Sequence, residues 1–171
     1  MEITLQKYEP EDFNCFKTLV SEDDLMKYIS GSGLNENHAR IKFDRILEIN
    51  NKELGLGYFK VFNAEKDFVG DCKLERYKHD HTILEVGYII KKDFWRNGIG
   101  SLICQELLAV AHNLYPDLAV IGIIDPENIA SKKLLEKFGF ERYFIGIEDD
   151  LPTEKLLLKK LQAGEIGRVY K

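Results

Sequence analysis

The chain is short of the residues that staple small domains together. Its 171 residues hold three cysteines, Cys15, Cys72 and Cys104, an odd number with no CxxC pair. A disulfide framework or a zinc ribbon is therefore not expected, and a reducing compartment, the cytoplasm, is. No apolar run approaches the ~18 residues of a membrane helix, and the opening Met1-Glu2-Ile3-Thr4 does not read as a signal peptide, so no membrane partner is expected. Basic excess is also missing. A formal net charge of -5 leaves no footprint for nucleic acid, yet suits a cationic substrate. Internal repeats and low-complexity linkers are absent, and 44% hydrophobic with 31% charged residues is the composition of a chain that buries one substantial core.

What is present alternates between two periods. Ile3 to Lys7 reads as a short strand, helical material begins near Glu11, and Gly31-Ser32-Gly33 breaks it. Residues 35 to 50 place Ala39, Ile41, Phe43, Ile46, Leu47 and Ile49 at roughly helical intervals. Tyr58 to Phe62, Phe68 to Tyr77 and Thr82 to Ile90 are β-rich runs with polar turns between them, which predicts an antiparallel meander. Gly98 to Leu114 carries one apolar face and stops before Pro116. The run Leu118 to Ile124 is apolar throughout, as a strand buried on both faces should be, and the intervening helix predicts that it lies parallel to 82–90. A short helix to Phe138, a strand near Phe140 to Ile145, an acidic loop and a strand from Lys155 to Leu161 follow. The fold class is α/β in the α+β sense: a mixed, mostly antiparallel sheet with a parallel central strand pair and flanking helices. Residues 1–161 form the domain and 162–171 a tail.

The stretch Glu85-Val86-Gly87-Tyr88-Ile89-Ile90, then Trp95-Arg96-Asn97-Gly98-Ile99-Gly100-Ser101, delivers a buried strand into a glycine-bearing helix start. The first turn of a helix leaves backbone N–H groups without partners and adds partial positive charge, so it favours phosphate. Gly98 and Gly100 allow close approach, Ser101 offers a hydroxyl and Arg96 a charge. A nucleoside-triphosphate loop would need Lys after its last glycine, where Ser101-Leu102 stands. A dinucleotide fingerprint would need a small residue at Ile103 and an acidic residue about 20 positions on, and Asp125, before Pro126, fits poorly. The remaining ligand is one whose diphosphate sits on the helix and whose body lies along the preceding strand.

These residues resemble the signature of the GNAT superfamily of acyl-CoA-dependent N-acyltransferases: Gln or Arg, two residues, Gly, one residue, Gly or Ala. Trp95 departs from the first position and is similar to the subgroup containing the ribosomal-protein N-terminal acetyltransferases. A second match, Asn128-Ile129-Ala130-Ser131 running to Gly139-Phe140, resembles the family's Asn, two residues, Ser or Ala, and short helix ending in Gly-Phe. The resemblance spans residues 1–161 and is strongest from 82 to 145.

It implies transfer of an acetyl group from acetyl-CoA, a co-substrate, to a primary amine of a protein N-terminus or a small molecule, by direct attack on the thioester and without a metal. It implies that backbone groups of Tyr88, Ile89 and Ile90 and the segment Trp95, Arg96, Asn97, Gly98, Ile99, Gly100 and Ser101 hold the cofactor, with Gly87 marking a local bulge. Glu85 interrupts an apolar run and is the candidate base; the other open reading puts it on a wet face or in a pair with Lys or Arg. Asn128 is a candidate contact to the pantetheine, because Asp125-Pro126 reads as an N-cap followed by Pro at the first helical position and so relieves Asn128 of capping. The family's usual acid, a tyrosine seven residues after this Asn, is here Leu135. Ser131 becomes the catalytic candidate at the thiolate. A catalytically silent acyl-CoA-binding module stays open for the same reason, and a nucleotide-binding protein is a remoter third class.

His79, Asp80 and His81 read as a solvated turn rather than a metal site. Glu148-Asp149-Asp150 reads chiefly as a turn bordering the acceptor side, and Tyr28, Tyr77 and Tyr88 as pocket or core. Homodimerisation follows from family habit alone.

Overall fold

The computed structural model describes residues 2–159. Its strands are β1 (Ile3–Lys7), β2 (Gly57–Asn63), β3 (Phe68–Tyr77), β4 (Asp80–Ile90), β5 (Ala119–Ile124), β6 (Glu141–Glu148) and β7 (Leu151–Leu158). Its helices are α1 (Phe13–Val20), α2 (Asp23–Met26), α3 (Glu36–Asn50), α4 (Ile99–Leu114) and α5 (Ile129–Lys137). The sheet runs in the order β1-β2-β3-β4-β5-β7-β6, antiparallel throughout except for β4 beside β5. Helix α4 is the reason for that exception, because a crossover helix returns the chain in the direction it left.

Alternation along β3 assigns the two faces. Cys72 and Leu74 join Leu84, Val86 and Val120 under α4 and α5, where Ile103 and Leu107 pack against them. On the other face α1, α2 and α3 enclose an aromatic cluster of Tyr8, Phe13, Phe16 and Phe43, with ring centroids 5.3 to 5.7 Å apart. The polar residues Asp71, Lys73 and Glu75 fall between the apolar ones of β3 and therefore point to this second side.

Two expectations change. The last strand begins at Leu151 rather than Lys155, because Asp149 and Asp150 both take left-handed φ, 50° and 63°, and turn the chain in two residues. Residues 160 and 161, expected in that strand, and the tail 162–171 lie outside the described residues. Gly87 marks no bulge against β3, since the register runs evenly through Cys72↔Tyr88, Lys73↔Gly87 and Leu74↔Val86 and shifts only between Arg76 and Tyr77. What Gly87 does provide is room: a Cβ there would stand 3.0 Å from Lys73 Cε, so the lysine stem lies across the strand in its place.

Asp71 gives the fold a titration of its own. It is 5% exposed and accepts a hydrogen bond from Tyr8 Oη at 3.3 Å. Burial, only partly opposed by the Lys42 ammonium, the Tyr8 hydroxyl and Lys73, pushes its carboxyl up to about 6. The folded state thus binds the proton more tightly than the unfolded chain, and the associated stability is present at low pH and lost as pH rises from about 4 through about 6. Asp71→Asn should melt higher than the wild type near pH 7.5, by the equivalent of about 1 to 3 kcal/mol, and equally near pH 4. An unchanged difference at the two pH values would show that Asp71 ionises normally.

Candidate active site

Strands β4 and β5 pair from Ile83↔Ala119 to Val86↔Gly122 and then stop, although both continue. Residues 87–90 keep β3 on one side and have no β5 partner on the other. The parallel pair therefore parts, and backbone groups of Tyr88, Ile89 and Ile90 flank the gap, where an extended ligand can take the missing strand's bonds. One of those groups is already engaged. The Trp95 indole N–H donates to the Ile90 carbonyl at 2.6 Å and folds the following loop back onto the strand end.

That loop leads into α4 through Gly98, whose φ of 78° is the left-handed conformation an L side chain avoids. Among the described residues no side chain caps the helix, and a Cβ at Gly98 would meet none of their atoms within 4 Å. The first turn carries the positive end of the helix dipole, and of its N–H groups that of Ser101 already donates to the Gly98 carbonyl at 3.0 Å. Arg96, also at positive φ (61°), and Asn97 are exposed beside it, while Ile99 is buried and anchors the turn. Gly100 differs from Gly98. Its Cβ position lies 3.1 Å from Leu134 Cδ2 and 3.6 Å from Ile90 Cδ1, so its missing side chain serves the close packing of α4 on α5 and β4 rather than a phosphate's approach. Lys137 Nζ donates to Ser101 Oγ at 3.4 Å, which brings a second cation to the loop. Lys137 is not among the residues singled out from sequence; its place in the last turn of the helix before Gly139 is the available signal.

The start of α5 corrects the capping expectation. Asn128 is the N-cap, and its Oδ1 accepts the Ser131 N–H at 3.1 Å. Asp125 Oδ1 instead accepts from the Glu127 N–H at 2.8 Å, a local turn that precedes the helix. Ser131 is held by that cap at the rim of the gap, with its Oγ 3.0 Å from Tyr88 Oη.

Glu85 lies on the opposite face, in an ion pair. Its Oε1 is 2.6 Å from Lys73 Nζ, which also donates to Glu75 Oε1 at 2.7 Å; Tyr58 Oη donates to the same Glu75 oxygen at 2.9 Å. Burial opposes the Lys73 charge, yet Tyr58, Glu85 and Glu75 around it hold the ammonium above the usual lysine range. Two carboxylates thus share one cation and leave the cluster net negative. The candidate base and the candidate hydroxyl are brought to two sides of one strand, separated by the gap at its end.

The hairpin residues gather elsewhere. His79 Nε2 lies 4.0 Å from Glu148 Oε1 and 3.9 Å from Asp149 Oδ2, but Lys155 and Lys78 already pair with those carboxylates. Lys155 Nζ donates to Tyr77 Oη at 2.7 Å and stacks at 4.9 Å from the Phe144 ring centroid, tying the β3–β4 hairpin to β6 and β7. Tyr77 is buried in this clasp, and Tyr28 sits apart under Lys27.

The family model for the acetyltransferase (GNAT) domain matches residues 2–141. The uncharacterized N-acetyltransferase YnaD of Bacillus subtilis is 23% identical over 141 residues, 82% of this chain and 79% of that one. Among solved structures, a GNAT-family acetyltransferase from Bacillus anthracis superposes with a TM-score of 0.73 at 21% identity, covering 92% of this chain and 93% of that one. The spermidine N-acetyltransferase of Vibrio cholerae, solved with CoA and spermine, gives 0.76 at 16% identity, covering 92% and 95%.

Proposed function

Because the chain belongs to the GNAT acetyltransferase family, we propose that it carries an acetyl group from acetyl-CoA to a primary amine, by direct attack of the amine on the thioester. The observation that supports this most is the meeting of two features at one point: the parting of β4 from β5 beyond Val86, and the uncapped, left-handed start of α4 at Gly98. The first holds an extended chain by its amides and the second holds a diphosphate.

In this reading the N–H groups of Gly98, Ile99 and Gly100, with Arg96, Asn97, Ser101 and the Trp95-anchored loop, bind the diphosphate, and the free edge of Tyr88 to Ile90 binds the pantetheine. Alignment supplies roughly 7 to 11 kcal/mol and a general base about 10²- to 10⁴-fold, so the positioning elements dominate the rate. Glu85 takes the proton from the amine. The net negative Glu75, Lys73 and Glu85 cluster draws in an acceptor that is an ammonium in solution. Trp95 and Ser131 favour a protein N-terminal α-amine; the acidic bed beside Glu85 serves a small amine equally. Leu135 at the usual acid position favours a second reading, a silent acyl-CoA-binding module.

Thermal unfolding with acetyl-CoA, CoA, ATP and NAD, followed by thiol release against amines and short N-terminal peptides, separates these readings. Stabilisation by the CoA species with thiol release for one acceptor is the expected result. Stabilisation without thiol release for any acceptor would favour the silent module, and no response to CoA would overturn both.

A further inference from the structure

We infer that the Tyr88 hydroxyl delivers the proton to the departing CoA sulfur, in place of the tyrosine that position 135 lacks. The inference rests on the acetyl transfer proposed above and goes on to name its acid.

Leu135 is 4% exposed and is turned into β5, where a Cβ at Gly122 would stand 2.4 Å from its Cδ1. That position seats α5 on the sheet and cannot present a proton donor. Tyr88 lies two residues beyond the last β4–β5 pair, on the α4 and α5 side. Its Oη reaches Ser131 Oγ at 3.0 Å, and its Cζ is 3.8 Å from the Cβ position of Gly100. The phenol tip therefore stands where the first turns of α4 and α5 converge at the mouth of the gap. Both turns direct partial positive charge there, which favours a sulfur becoming anionic. The Ser131 N–H is committed to Asn128, and its hydroxyl is left for Tyr88. Each hydroxyl has one proton and two lone pairs, so when one donates to the other, a single O–H remains for a ligand. Burial, partly offset by the Ser131 hydrogen bond, holds the Tyr88 hydroxyl above the usual tyrosine range, and it keeps its proton at neutral pH.

The step balances as follows. The amine nitrogen bonds to the carbonyl carbon, and on collapse the C–S bond breaks with its electron pair going to sulfur. The Tyr88 proton passes to sulfur, giving the neutral thiol, and Ser131 donates a hydrogen bond to the phenolate. The proton that Glu85 takes from the amine nitrogen is released to solvent, and the Tyr88 phenolate regains a proton from water before the next turnover.

Tyr88→Phe removes one oxygen and keeps the ring. It should bind CoA within about threefold of the wild type, with kcat lower by about 10²-fold. In the binary complex, the pKa of the bound CoA thiol, followed by thiolate absorbance, should rise by about one pH unit as a donor to the anion is lost. Ser131→Ala should lose less than Tyr88→Phe. A Tyr88→Phe enzyme with wild-type kcat and wild-type thiol pKa overturns the assignment while leaving the proposed activity intact. The wild type gives an independent check free of any folding defect: bound CoA should have a thiol pKa below that of free CoA, and an unlowered value overturns the assignment as well. A wild type that binds CoA and releases no thiol with any amine overturns the proposed activity itself, and the assignment with it.

Discussion

Gly98→Phe should fold and fail to bind acetyl-CoA. A Cβ at Gly98 meets no described atom within 4 Å, so the first atom of the side chain has room, and the backbone penalty in the free protein is the left-handed φ of 78°, about 1 to 2 kcal/mol. The ring would, however, stand over the N–H groups of the first turn of α4, where the diphosphate is proposed to sit. Loss of those bonds should weaken binding by at least about 100-fold, near 2.7 kcal/mol, by calorimetric titration with CoA. Gly98→Asn separates bulk from backbone strain, because Asn tolerates left-handed φ and is smaller. It should melt closer to the wild type and bind more tightly than the Phe variant. Gly100→Ala tests the other glycine, whose Cβ would press on Leu134 at 3.1 Å, and it should lower the melting temperature more than it weakens CoA. Wild-type affinity in Gly98→Phe would remove the diphosphate from this turn.

These contrasts show where the sequence was legible. Strand and helix positions follow from period and composition, and the continuous apolar run of β5 is legible because burial on both faces leaves that pattern. The parallel pairing was legible too, since it needs only a helix between two strands. What depends on pairing register was not. That Gly87 makes room for Lys73, and that Lys73 thereby reaches Glu85, requires knowing that residue 73 stands opposite 87. Local chemistry also misled: Asp125-Pro126 has the composition of a helix start, but Asp125 spends its side chain on Glu127 and the cap falls to Asn128. Tyr88 is legible as backbone for the cofactor and as a pocket or core ring, but alternation cannot say that its hydroxyl ends beside Ser131.

Glu85→Gln should lower kcat by about 10²-fold or more with little change in acetyl-CoA affinity. The residue is on β4, away from the α4 turn, and its partner Lys73 keeps a second carboxylate in Glu75, so the ammonium is not left alone when the charge goes. If Glu85 is the base, the part of the acid limb of kcat/KM that the acceptor's own ammonium does not account for should vanish in the variant. Glu75→Gln is the control. Glu75 is engaged by both Lys73 and Tyr58, whereas among the described residues Lys73 alone pairs with Glu85, so Glu75→Gln should cost less and retain the limb. Lys73→Met gives the sharper sign. Removing the cation leaves two carboxylates that oppose each other across strands, so a negative charge on both is disfavoured. The acid limb should then move to higher pH, with loss of activity at low pH and a stronger base once ionised. A limb that persists in Glu85→Gln and stays in place in Lys73→Met would mean that the amine loses its proton elsewhere, and that the Lys73 bridge only joins the two strands.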